Sequence, residues 1–305
     1  MMDLPRLRML MAVQDEGSIT GAARTLNYTA AAVSQQMSKL ERETGLSLIT
    51  RHSRGVTLTS PGEELVVAGR DVLARLALAE DSARQLAGLE RAKLRIATFQ
   101  SASAGLLPKI LAPLSQRFPR MSVEFVQVPR AEALHLLRQY DADVALVHEH
   151  PESPGDMDLT GLSLEFLFAD ALRLVTAPRH PAAHWQEPVD LAQLHQQDLI
   201  VGRVEDDDRY VLDALFDELE VLPVHVAEVG EYFVAAAMAS SGIAVTLMPE
   251  LAIPTGYSLV TKRLNRRLER RVFLITRQNE DHAAVDAFRR TTFEVIERMP
   301  PAFVP

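Results

Sequence analysis

The chain has 305 residues, 47% of them hydrophobic and 24% charged, with a formal net charge of −9 and no cysteine. That length predicts two or three domains with sizeable cores, and the missing cysteines exclude disulfides, thiolate zinc sites, Cys nucleophiles and thiol redox sensing. No run of 18 apolar residues occurs, and MMDLPRLRML carries charges where a signal peptide would be apolar, so the expectation is a cytoplasmic protein without a membrane partner.

The charge is unevenly spread. Residues 1–62 contain seven Lys+Arg against five Asp+Glu, and the remainder 25 against 36. The acidic bulk argues against non-specific nucleic-acid binding by the whole chain, and leaves open a small basic N-terminal module that touches DNA.

In LPRLRMLMAVQDE, Leu7, Leu10, Met11 and Val13 stand near helical spacing, and Gly17 ends the pattern. Ser18 is a good N-cap for a second helix, ITGAARTLN, closed by Asn27. Thr29 caps a third helix reaching about Thr44, with Gly45 as its stop. Ala30, Val33, Met37 and Leu40 line one face of it; Ala31, Ser34, Gln35, Ser38, Lys39 and Arg42 line the other. Two helices joined by a short turn, the second polar outside, form a helix-turn-helix pattern. The segment LSLITRHSRGVTLTSPG then reads as a β-hairpin wing tipped by Arg51, His52 and Arg54.

Pro61 suits the first turn of a long helix. Its Leu65, Gly69, Val72, Leu76, Ala79, Ala83 and Leu86 follow a 4-3-4-3 spacing, which reads as a dimer seam; packing on its own domain is the alternative. From residue 93 short strands alternate with helices: KLRIATF, SVEFVQV, ADVALVH, ALRLVTA, DLIVG, VHVAEV, IAVTLMP and RRVFLIT. That alternation means α/β with largely parallel sheets. Eight strands suggest two sub-domains divided near 148–161, with the last strand and helix returning to the first one and a cleft between them.

The run EGSITGAARTLNYTAAAVSQQMSKLERETGLSLITR, continued by GVTLTSPGEELV, resembles the DNA-binding region of LysR-type transcriptional regulators. The anchors carrying the resemblance are Gly17, Ser18, Ala22, Ala23, Leu26, Val33, Ser34, Leu40, Glu41, Gly45, Leu48, Arg51, Leu58, Thr59 and Gly62. Further on, LLPKIL, ADVALV, LVTAPRHP, LAQLHQQDLIV and SSGIAVTLMPE are similar to the family's effector-binding domain. Four positions depart from the pattern. Ala30 and Ala31 stand where the family often has Gln-Pro, Gln35 where an Arg is frequent, and Ile49 where Phe is usual. Base contacts are therefore not transferable from a typical member.

The resemblance implies a winged helix-turn-helix over residues 1–60, a linker helix over 61–90 and an effector domain over 91–305. That domain would be two Rossmann-like α/β lobes of the type II periplasmic-binding-protein kind, lobe I about 91–160 and 266–305, lobe II about 161–265. It implies double-stranded promoter DNA, a small-molecule effector and a second copy of the chain as partners. Dimers or tetramers are expected, with RNA polymerase as a further partner of an activator.

Gln can pair bidentately with adenine and Ser with several base edges, while Lys and Arg hold phosphates. The candidate DNA-binding residues are Thr29, Ala30, Ala31, Ser34, Gln35, Ser38, Lys39, Arg42, Arg51, His52 and Arg54. For the effector, QSASAG reads as a polar turn between the strand LRIATF and the helix LLPKIL, offering backbone N–H groups. In the family, the hydroxyl at the position of Ser101 commonly holds an effector carboxylate. Ser103 adds a second hydroxyl; Arg130 at the next strand–helix junction and Arg203 after DLIVG offer cations. Against this, Arg130 can simply pair with Glu124 or Glu132. The expected ligand is a small anion.

HEH at 148–150, with Asp156 and Asp158 nearby, offers a metal site and EDDD at 205–208 a cation site, but an exposed connection and a solvated charge run are the favoured readings, so no metal or cofactor is expected. SASAG lacks the Gly that a nucleophile elbow needs before Ser101, and no catalytic set stands at a recognisable spacing. The favoured reading is an effector-controlled DNA-binding regulator and not an enzyme. An effector-independent regulator is the alternative, with an α/β enzyme or a solute-binding protein behind it.

Overall fold

A computed structural model of the chain describes residues 3–52, 55–86, 92–151, 157–203, 207–278 and 282–299, with backbone alone at 71, 74, 77–86 and 207. Contacts divide it into two units, residues 1–82 and 83–305.

In the first unit each of the first three helices starts with a side-chain cap. Asp3 accepts the Arg6 N–H to open α1 (Leu4–Glu16), which Gly17 ends in the left-handed region at φ 60°. Ser18 opens α2 (Ile19–Thr25), two residues shorter than the sequence suggests, with Asn27 turning the chain at φ 57°. Thr29 opens α3 (Ala30–Thr44) by accepting the Ala32 N–H at 3.1 Å, and Gly45 ends it at φ 70°. Such caps satisfy the donors that a helix start leaves orphaned. Leu7, Leu10, Val13, Ala22, Ala23, Val33, Met37 and Leu40 close into one core.

The hairpin β1 (Ile49–His52) and β2 (Gly55–Leu58) pairs antiparallel, with Arg51 opposite Val56. Arg54 of the wing lies outside the described residues. The Glu41 carboxylate accepts the N–H groups of Leu48 at 2.9 Å and Ile49 at 3.3 Å, tying α3 to the wing. The helix α4 (Ser60–Leu86) follows. Its first half packs on its own unit: Val66 is buried, and Leu65 and Leu73 lean on the core. Along the same helix Val72 and Leu76 are exposed. Packing on its own domain therefore holds for the first half of the helix, and the seam's Ala79, Ala83 and Leu86 side chains lie outside the described residues.

The second unit is one continuous mixed sheet flanked by helices. In chain order its elements are β3 (Lys93–Thr98), α5 (Gln100–Gly105), α6 (Leu107–Arg117), β4 (Ser122–Gln127), α7 (Arg130–Arg138), β5 (Val144–Glu149) and β6 (Leu162–Thr176). There follow β7 (Asp198–Val201), α8 (Asp207–Glu218), β8 (Val224–Glu228), α9 (Tyr232–Ser240), β9 (Val245–Pro249), β10 (Val260–Lys262), β11 (Glu269–Arg277) and α10 (Ala283–Ile296). The strand order is β4-β3-β5-β11-β6-β9-β7-β8, with β10 beside β6.

Two parallel groups, β4-β3-β5 and β9-β7-β8, are the two lobes. The strands β11 and β6 join them in antiparallel pairing. Strand alternation serves both faces. Leu146, Val272 and Leu274 meet α6 and α10 residues on one side, while Val147, Phe273 and Ile275 meet Leu134 and Leu137 of α7 on the other. The second lobe repeats this with Leu199 and Val201 against Leu212 and Leu215, and Ile200 against Ala235 and Ala236. The sequence reading missed the first half of β6 and the short β10. It also took QSASAG for a turn, whereas residues 100–105 form α5.

Candidate functional site

On α3 the buried positions are Val33, Met37 and Leu40. The remaining face holds Thr29, Ala30, Ala31, Gln35, Ser38, Lys39 and Arg42, with Ser34 half-buried among them. Arg51 on the wing donates to the Ser34 hydroxyl at 2.9 Å, joining wing and helix into one surface. His52 is exposed beside it. Arg42 donates to the Ser38 carbonyl of its own helix at 3.2 Å.

In the second unit a cavity of about 370 Å³ lies between the lobes. One wall comes from strand ends of the first lobe, with Phe99, Ser101, Gln127, Arg130 and His148. The facing wall comes from the second lobe, with Val201, Asp208, Arg209, Gly230, Glu231 and Tyr232. Arg270 of β11 closes the floor.

Arg270 is fully buried and donates to Asp170 of β6 from Nε (3.0 Å) and Nη2 (2.8 Å). Its Nη2 also donates to the Ser101 hydroxyl, and its Nη1 lies 3.5 Å from Asp208. The guanidinium carbon lies 5.2 Å from the centre of the Phe99 ring, within reach of a cation–π attraction. Asp208 is shared further: His150 Nε2 meets its Oδ1 at 2.7 Å, and the Tyr232 hydroxyl donates to its Oδ2.

Two carboxylates thus flank one guanidinium, and they titrate differently. Burial pushes the Asp170 carboxyl up despite Arg270 and the Leu251 N–H. Burial also opposes ionisation of Asp208, but the Arg270 charge and the His150 hydrogen bond hold it well below the usual carboxylate range. The Tyr232 hydroxyl is raised by burial and by the Asp208 charge. The His148 imidazole is pushed down to about 3 by burial and by the Arg270 charge.

Ser101 and Arg130 line the cavity. Arg130 begins α7 and donates to the His148 carbonyl at 3.2 Å, while Glu124 pairs instead with Lys93. Ser103 and Arg203 are not among the lining residues. The Ser103 hydroxyl donates to the Gln100 carbonyl at 2.7 Å and accepts from Gln127. Arg203 is exposed and runs along Gly230, where an added Cβ would come within 2.9 Å of its Nε.

Two family models match the chain. The model for the bacterial regulatory helix-turn-helix protein, lysR family, covers residues 4–63, and that for the LysR substrate binding domain covers residues 87–296. The chain belongs to the LysR family. The HTH-type transcriptional regulator GltR of Bacillus subtilis is 28% identical over 260 residues, covering 83% of this chain and 81% of GltR. A probable cat1 operon transcriptional activator of Acinetobacter lwoffii is 27% identical, covering 82% of each chain. Among solved structures, the LysR-family regulator CbnR shares 19% identity at a TM-score of 0.65, covering 97% of this chain and 99% of CbnR. A full-length OxyR variant from Pseudomonas aeruginosa gives a TM-score of 0.69 at 20% identity, covering 96% of this chain and 98% of the variant. These structures share the fold.

As a LysR-type protein it is a DNA-binding transcription regulator whose second part binds a small-molecule effector, and it assembles with copies of itself. Among the described residues no helix is long and apolar enough to cross a membrane.

Sequence reasoning missed Asp170, Tyr232 and Arg270, and weighed His148, His150 and Asp208 as ion ligands only to set them aside. It placed HEH in an exposed connection, but His148 belongs to β5 and His150 is 3% exposed. It took EDDD for a solvated run, but Asp208 is tucked between His150, Tyr232 and Arg270. The available signal was a charge within an apolar strand: Asp170 in FLFADALRL, and Arg270 opening the alternation of RRVFLIT.

Proposed function

We propose that this LysR-family regulator reads promoter DNA through the exposed face of α3 and the wing, and that an anionic effector held between the lobes controls the binding. Gln35 and Ser34 face base edges. Ser38, Lys39 and Arg42 hold phosphates, and Thr29, Ala30 and Ala31 approach the backbone at the helix start. Arg51 and His52, with Arg54, follow the adjacent backbone or minor groove. The division proposed is 1–60, 61–90 and 91–305, with lobes of about 91–160 plus 266–305 and 161–265. The protein acts in the cytoplasm, catalyses no reaction, and meets RNA polymerase where it activates.

The observation that carries the effector reading is Arg130. It lines the cavity with its guanidinium on a backbone carbonyl, and no carboxylate among the described residues pairs with it. A planar fork of that kind suits a carboxylate or phosphate. Ser101 lies on the same wall, and Ser103 and Arg203 flank the cavity as secondary members of the proposed site.

Calorimetric titration against a panel of carboxylates and phosphorylated metabolites tests this. A binder should be found among the anions, and Arg130→Ala should abolish its binding while effector-free DNA affinity persists. Binding by neutral or cationic compounds alone would defeat the anionic reading.

A further inference from the structure

The histidines and Asp208 come together across the cavity. One imidazole nitrogen of His148, one of His150 and a carboxylate oxygen of Asp208 all lie within 4.8 Å of one another. The histidines come from the end of β5 in the first lobe, and Asp208 from the start of α8 in the second. We infer that these three side chains form a binding site for a divalent transition-metal ion that bridges the lobes.

Three observations carry the inference. The donor set is two imidazoles and one carboxylate, which suits borderline first-row ions such as zinc, nickel and cobalt. Tetrahedral zinc holds its ligand atoms about 3.3 Å apart, given bonds of about 2.0–2.1 Å. His150 Nε2 and Asp208 Oδ1 stand hydrogen-bonded at 2.7 Å, so an ion that replaces the shared proton spreads the pair by about 0.6 Å.

Second, His148 Nδ1 is enclosed and has no hydrogen-bond partner among the described residues. Burying such a nitrogen unsatisfied costs free energy, and an imidazole with a lone pair to spare is a metal ligand in waiting.

Third, Asp208 keeps an oxygen for a cation. Arg270 donates two hydrogen bonds to Asp170 and reaches Asp208 at 3.5 Å. Arg270 approaches Asp208 at Oδ2, where Tyr232 also donates, whereas among the described residues Oδ1 meets His150. The ion sits on the Oδ1 side, and Tyr232 and Arg270 orient its carboxylate ligand from behind. His148 and Asp208 line the cavity, so the fourth coordination position is open to an anion that also reaches Arg130. The inference rests on the reading of this cavity as the effector site, and gives that site a metal ion or metal-bound anion as its ligand.

The test uses the full chain after chelator treatment. Zinc is titrated in competition with a chromophoric chelator, and cobalt(II) is followed by its visible d–d absorption. One equivalent per chain is expected, with cobalt bands that zinc displaces. His148→Ala and His150→Ala should each weaken binding more than about 100-fold, and Tyr232→Phe about 10-fold, the range for partners behind a ligand. His148→Gln and His150→Gln serve as folded variants where alanine destabilises. Absent stoichiometric uptake by wild type, or equal affinity in the histidine variants, overturns the site. Promoter binding is measured on the same samples. Chelated protein that binds promoter DNA and takes up no metal overturns the metal site and leaves the regulator standing. Metal uptake by protein that binds no promoter DNA supports the site and removes the function proposed above.

Discussion

Arg270 and Asp170 form an ion pair with both side chains buried, and they stand on β11 and β6, the two strands that pass between the lobes. The same Asp170 accepts the Leu251 N–H at 2.9 Å through its other oxygen. The pair therefore fixes the floor of the cavity to the sheet beneath it.

Removing one partner should be much worse than removing both. Arg270→Met leaves a carboxylate buried without its counter-charge, which costs about 3–5 kcal/mol. In the double variant Arg270→Met with Asp170→Asn, the amide oxygen still accepts the Leu251 N–H, and Asp208, which keeps its His150 and Tyr232 hydrogen bonds, is the one carboxylate left without Arg270. Part of the lost stability should return. Urea denaturation of the two variants measures the difference; a double variant no more stable than Arg270→Met would contradict this account.

The reading face of α3 predicts a division between specificity and affinity. Gln35→Ala and Ser34→Ala should relax base preference, each by about 1–3 kcal/mol at one base pair. Ser34→Ala should also loosen Arg51, which donates to that hydroxyl. Lys39→Ala should weaken all sequences alike and lower the salt slope by about one unit. Fluorescence anisotropy on matched and scrambled sites reads both effects. Unchanged preference in both polar variants would take these residues off the reading face.

Much of the first unit was legible because its anchors are local. Ser18, Thr29, Gly17 and Gly45 do what caps and stops do within three residues of themselves. Gly62 has a reason only the structure supplies: a Cβ there would stand 2.2 Å from the Leu48 carbonyl oxygen. Leu76 stands in a spacing that reads as one seam, yet Leu65, about three helical turns earlier, leans on the core. In the second unit the strands were legible from their apolar runs. The cavity floor was not, because its partners are far apart in the chain: Arg270 meets Ser101, Asp170 and Asp208. No periodicity carries such a long-range pairing. Arg130 could be placed because it sits at a strand–helix junction that pattern alone locates.

The first unit carries a pH dependence of its own. The Arg6 guanidinium, on a residue 7% exposed, meets Asp3 at 2.6 Å and Glu43 at 2.7 Å. Its hydrogen bonds lower the carboxyl pKa of both Asp3 and Glu43. A carboxyl whose pKa falls on folding stabilises the fold above its unfolded value of about 4. That contribution is lost as pH falls through the lowered value. Thermal melts between about pH 6 and pH 3 should therefore fall less steeply for Asp3→Asn with Glu43→Gln than for wild type, the two converging at the acid end. Parallel curves would show that Arg6 contributes through packing alone.

The exposed half of α4 predicts how copies of the chain meet. Val72 and Leu76, four residues apart and so on one face of the helix, are 50% and 38% exposed. Beside them Leu4, Leu7, Leu65, Ala68 and Gly69 line a shallow apolar hollow. Gly69 lies so close to Leu7 that a Cβ would stand 2.5 Å from its Cδ1, so the helix is held by its own unit along that edge. The face left over suits the same face of a second copy. Leu76→Asp would bury an unpaired charge in that contact, which is strongly unfavourable. Sedimentation should then give a smaller species, with the second unit still folded by circular dichroism and operator binding much weakened. A variant that keeps the wild-type mass would place the contact between copies elsewhere on the molecule.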